Sequence, residues 1–270
     1  MTKRAAVTLA VLIVFVGAAR PASAWGPAAH RAVTAKAIDT LPGGIKDFYK
    51  THRLELPTLA LDAEPPDEGA DRRFAVDRLL PYPFTGLPRS EAGVKERFGD
   101  AAAQVGRLPW LIQESYARLV EAFKAKDKAK IVEESDLLAG LVADLDNPLA
   151  VTDNADGQKS EQHGLWMRFS VRFPEAVERA LKLSPDSARY LDEPKEYVFS
   201  MLKASYVWVD NILYQEELAR RGKAGYTESY YEALAIRAGE VLRWRLSAAA
   251  EDAGSYWYTA WTVAGRPELK

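Results

Sequence analysis

Apolar residues return along this chain at intervals of three and four, and no stretch of useful length alternates at intervals of two. Ile112, Tyr116, Leu119 and Phe123 fall at i, i+4, i+7 and i+11, which is one stripe of an amphipathic helix. Ile131, Leu138, Val142 and Leu145 carry the stripe into a second helix. Asn147-Pro148 ends that helix, because proline has no amide to donate and disfavours helix in the residue before it. Phe199, Leu202, Tyr206, Val209 and Leu213 predict a long helix ending near Gly222, and a last one covers about 227–250 or runs on to 262. Gly26-Pro27 opens the first helix, with proline suited to its first turn, and Gly43-Gly44 ends it after Leu41. Ser90 is placed to cap a helix reaching about Gly106, and Ser160 one within 161–183. Residues 54–90, rich in Pro, Asp and Arg, read as a long loop across one face. The chain is therefore expected to be all-α: a single-domain multi-helix bundle of about eight helices.

The first 24 residues read as an export signal. Lys3 and Arg4 precede a nearly continuous apolar run from Ala5 to Ala18, and Ala22-Ser23-Ala24 supplies the small-x-small pattern of a cleavage site. An uncleaved anchor is the alternative, but the run falls short of the roughly 20 residues a bilayer needs. Removal at Ala24 leaves residues 25–270 as one domain, exported to a periplasmic or extracellular space, with no integral membrane span.

Charge and cysteine content narrow the chemistry. The 36 basic residues less Lys3, Arg4 and Arg20 leave 33 against 38 acidic ones, a net charge of −5 for the processed chain. A protein that binds generic nucleic acid through its phosphates is expected to be basic. There is no cysteine, so thiolate zinc sites, iron–sulfur clusters, cysteine nucleophiles and disulfides are all excluded.

Two regions stand out from this generic background. The processed chain would begin Trp25-Gly26-Pro27-Ala28-Ala29-His30, and a second stretch runs from Leu138 through Asp144 and Pro148-Leu149-Ala150 to Gly157. With Pro83-Phe84, Pro88-Arg89, Gly106-Arg-Leu-Pro-Trp110 and Asp156-Gly157-Gln158, this ordered set resembles the superfamily of zinc-dependent phospholipase C and the fungal single-strand-specific nucleases, in its bacterial secreted branch. The resemblance extends from Trp25 to about Phe173. It implies an all-helical domain that hydrolyses phosphodiester bonds with three clustered zinc ions, one of them held by the amine and carbonyl of an N-terminal Trp.

Carried over residue by residue, the resemblance implies that Trp25 and His30 are zinc ligands, with Asp144 on its helix as another. Asp62 stands where the family has a loop ligand that also serves as a base. The other ligand positions have changed. Phe74 and Gly140 stand where the family has histidines, and so does Ala150. Trp166 and Ser170 stand in place of a final His and acid. A second register would put His163 and Met167 at that last pair; the first also matches Arg168-Phe169. The family centre asks for five histidines, whereas this sequence has three, His30, His52 and His163. His52 reads as a helix-end residue.

The resemblance therefore implies a zinc centre reduced to one ion, held by Trp25, His30 and Asp144 with Asp62 nearby, in a protein whose catalysis is lost or feeble. Two other readings stay open. One is an active phosphodiester hydrolase, acting on phospholipid or nucleic acid with a reduced metal site and Asp62 or Asp144 as base. The other is a helical domain with no metal.

Overall fold

The computed structural model describes residues 23–56 and 71–269, and among these the only regular secondary structure is helical. Nine α-helices follow in order: α1 (Pro27–Thr40), α2 (Gly43–Thr51), α3 (Glu91–Phe98), α4 (Leu108–Ala125), α5 (Lys128–Leu145), α6 (Phe173–Val177), α7 (Pro194–Tyr206), α8 (Val209–Arg220) and α9 (Glu228–Val263). The expected signal up to residue 22, and the loop bearing Asp62, lie outside the described residues.

Helix α9 organises the bundle. Its 36 residues span about 54 Å at 1.5 Å per residue, and its two ends serve different halves of the core. Near its C-terminus Ala253, Tyr256, Trp257 and Ala260 pack with apolar side chains of α2, α4, α5 and α7. Here the Tyr49 and Trp257 rings stack at 4.5 Å, and both are tied to Ser135 of α5, through its hydroxyl and its carbonyl oxygen respectively. Nearer its N-terminus Tyr230, Leu234, Leu242 and Leu246 pack with Trp25, Val33, Trp166, Phe169 and Ile212. Helix α1 lies along α9 at close range because Gly254 has no side chain; a Cβ there would stand 2.1 Å from Thr40 Oγ1 and 3.1 Å from the Ala37 carbonyl oxygen. At the end of α5, Val142 and Leu145 belong to the first half of the core and Ala143 to the second. Asp144 thus sits where the halves meet.

Several boundaries follow the periodicity. Helix α1 starts at Pro27, α5 ends before Asn147-Pro148, and the Ser90 hydroxyl accepts the Gly93 amide at 3.1 Å. Helix α3 is shorter than expected, giving way at Gly99 to a 3-10 turn that ends at Gln104.

Two other expectations are corrected. The long helix through Leu213 is interrupted at Val207 and Trp208, so that α7 buries Val198, Phe199 and Leu202 in one half of the core and α8 buries Ile212 and Ala219 in the other. One straight helix cannot turn a single stripe toward both. Ser160 does not cap the segment after it; Asp156 does, accepting the amides of Gly164 at 2.9 Å and Trp166 at 3.0 Å. That segment runs as a π-helical turn, Trp166–Arg172, before α6.

Candidate functional site

Asp144 is fully enclosed, with no exposed surface. A carboxylate in that position is tolerated only if its lone pairs are met, and the chain meets them from three directions. Toward Oδ1, in the uncleaved chain, the Ser23 hydroxyl donates at 3.0 Å, the Ala24 amide at 2.9 Å and the Trp25 amide at 3.3 Å; the cleavage expected at Ala24 would remove the first two donors and leave the Trp25 nitrogen as a terminal amine. His30, on the first turn of α1, brings Nε2 to 3.1 Å from the same oxygen and to 2.6 Å from Ser23 Oγ. Toward Oδ2, Arg72 presents Nε at 2.6 Å and Nη2 at 2.5 Å.

Burial on its own would raise the Asp144 pKa. The Arg72 guanidinium, then His30 and the Ser23 hydrogen bond, outweigh it, so the carboxyl is held below the usual range and stays ionised.

The structure therefore gathers Trp25, His30 and Asp144, expected as ligands from positions up to 119 residues apart. Around them come the positions where the resemblance implies further ligands. The Phe74 amide donates to the Ala150 carbonyl at 2.8 Å, and the Ser170 carbonyl accepts the Gly26 amide at 2.9 Å. Asn147 Nδ2 donates both to Ser170 Oγ and to the Ala24 carbonyl. Trp25, Ala150 and Trp166 share one apolar cluster.

Positions 25, 30, 74, 144, 150 and 170 are thus linked through short hydrogen-bond chains, Gly140 stands one turn before Asp144, and Trp166 lies in the same apolar cluster as Trp25 and Ala150; several of these side chains carry no metal-binding group. Phe74 is fully buried with its ring edge-on to Trp110, and Trp166 is packed in the core. His163 is exposed and His52 contacts Glu55 beside Phe48 at the end of α2. Arg168 is engaged in a buried ion pair with Glu216 of α8 at 2.9 Å.

A zinc ion fits this arrangement poorly. Zinc draws on imidazole nitrogen, carboxylate oxygen or thiolate, and no group of three or more His, Cys, Asp or Glu able to hold a metal ion exists among the described residues. The one carboxylate at the centre already has both oxygens engaged, one of them by a cation.

Arg72 is the residue that sequence reasoning missed. It follows the long loop, has no helical periodicity around it, and resembles no ligand. Its only sequence signal is indirect: Gly140 leaves room on the face that carries Asp144, and a Cβ at Gly140 would lie 3.1 Å from Arg72 Nη2.

No protein-family model matches the chain, and no curated protein gives a significant match. No helix among the described residues is long and apolar enough to cross a membrane.

Proposed function

We propose that this chain is a catalytically degenerate member of the zinc-dependent phospholipase C and single-strand nuclease superfamily, exported after cleavage at Ala24. It binds at most one zinc ion and acts by binding or scaffolding rather than by hydrolysis. The observation that carries this reading is the linkage of positions 25, 30, 74, 144, 150 and 170 through short hydrogen-bond chains, with Gly140 one turn before Asp144 and Trp166 in the apolar cluster of Trp25 and Ala150, while Phe74, Gly140, Ala150 and Trp166 bring no metal-binding group. Random placement of the aligned positions would scatter them over the bundle. Their clustering supports descent from a metal centre, and their present side chains support its loss.

Phosphodiester hydrolysis by clustered metals needs a polarised phosphoryl group and a metal-generated hydroxide. Phe74 and Trp166 carry apolar rings, and Asp144 is already committed to Arg72 and His30, so it is badly placed to act as a base. The test is a hydrolysis assay on the processed protein with bis(p-nitrophenyl) phosphate, single-stranded DNA and phosphatidylcholine, each with added zinc. The expected rate equals that of zinc without protein. Zinc-dependent turnover that disappears in Asp144→Ala would refute the reading and favour a working hydrolase with a reduced site.

A further inference from the structure

We propose that the Arg72 guanidinium has taken over the charge-neutralising place of a metal ion at Asp144, so that this centre is a metal-free clasp and holds no zinc. The inference rests on the degenerate-family reading and goes beyond it, from at most one ion to none.

Three observations converge. The first is the bond itself: Arg72 Nε donates to Asp144 Oδ2 at 2.6 Å, and Nη2 lies 2.5 Å from the same oxygen as an ion-pair contact without a hydrogen bond, with Arg72 6% exposed and Asp144 fully enclosed. Charge-assisted pairing of this kind is strong where water is excluded.

The second is preorganisation. The backbone around Arg72 is pinned on both sides. The Asp71 carbonyl accepts the Arg107 amide, the Arg73 carbonyl accepts the Leu108 amide, and Phe74 and Ala75 donate to Ala150 and Val105. The guanidinium is therefore delivered from a fixed segment, not from a mobile loop tip.

The third is space. Gly140 stands one helical turn before Asp144, and any side chain there would begin 3.1 Å from Arg72 Nη2 and 3.9 Å from the His30 ring. A side chain at 140 would crowd the Arg72 guanidinium in its present place.

A divalent ion on His30 and Asp144 would have to share one carboxylate with a fixed, permanently protonated guanidinium. In a water-poor site the two cations repel with little screening, and the carboxylate alone cannot offset both. Loaded with Arg72 instead, Asp144 ties three segments to the end of α5: the 71–75 stretch, the start of α1 through His30, and the chain at Trp25.

The experiment uses the full chain with a C-terminal tag, exported and processed so that nothing precedes Trp25. The protein is stripped with a chelator and titrated with zinc against a competing chromophoric chelator. Thermal unfolding is followed in parallel, with EDTA and with zinc. The expected wild-type result is sub-stoichiometric zinc and the same melting temperature in both conditions. Arg72→Ala, which frees Asp144 Oδ2, is expected to gain a zinc-dependent rise in melting temperature.

If Arg72→Ala stays unfolded even with zinc, the wild-type titration decides alone. One zinc per wild-type chain, lost in Asp144→Ala and accompanied by a fall in melting temperature on chelation, overturns the clasp. Bound zinc without turnover sinks only this inference. Bound zinc with turnover sinks the degenerate reading as well.

Discussion

The Arg72–Asp144 pair makes a quantitative prediction about folding. In Arg72→Met the carboxylate stays enclosed but loses the guanidinium that chiefly offsets its burial. Removing one partner of a buried ion pair destabilises by about 3–5 kcal/mol, because the other charge is left uncompensated. In Asp144→Asn an acceptor oxygen remains for the Trp25 amide, but the guanidinium is stranded with 6% exposure, and a loss of about 3 kcal/mol is expected. The double variant leaves no uncompensated charge between positions 72 and 144, so it should be less destabilised than the two single losses added together. The expected coupling is about 2–3 kcal/mol, near the upper end of the range for residues in contact. Urea unfolding followed by far-UV circular dichroism measures all three variants and the parent, provided the slope with denaturant stays constant across them. Singles that add to within about 0.5 kcal/mol of the double would show that the two side chains do not depend on one another, and would refute the argument.

Three further outcomes are expected. Gly254→Ala places a methyl on Thr40 Oγ1 and on the Ala37 carbonyl, and should destabilise by about 1–3 kcal/mol through overpacking; adding Thr40→Ala should recover most of the loss in the same urea assay. Trp166→Ala empties a site that is 1% exposed in the core, and should lower stability by about 3–5 kcal/mol while circular dichroism still reports a helical protein. Burial, chiefly, raises the Asp252 pKa from 3.8 to about 6. Between those values the folded chain keeps a proton that the unfolded chain has lost, so the Asp252 contribution is fully present below pH 4 and is lost as pH rises through 6. Asp252→Asn, which keeps an acceptor for the Tyr197 hydroxyl, should therefore be more stable than the parent at pH 7.5 by about 3 kcal/mol, with the gain vanishing near pH 4. A gain independent of pH would rule this out.

Much of the fold was legible from local chemistry. Proline at the first turn of α1, the Ser90 cap, and the stripe through Ile131, Leu138, Val142 and Leu145 each act within a few residues, so they can be read without knowing what lies elsewhere. Asp144 was also legible, because a carboxylate on an apolar helix face has to be met by something. The break at Val207–Trp208 was not. Its cause is the division of the core between the two ends of α9, together with Ser205, whose hydroxyl donates to the Leu145 carbonyl and accepts from Arg245 of α9.

The sequence by itself determined which chemistry was out of reach: with no cysteine there is no thiolate ligand, and three histidines limit any imidazole site. It also determined the all-helical character and several helix boundaries, since those signals are short-range. What answers the charge on Asp144 was decided only by tertiary structure. Arg72 lies 72 residues away in sequence in a segment without periodicity, and its partner is set by backbone hydrogen bonds to α4 and to the Ala150 turn and by the absence of a side chain at Gly140. Electrostatic pairing in a dry core depends on distance and orientation in space, and nothing in the spacing of residues along the chain carries that information.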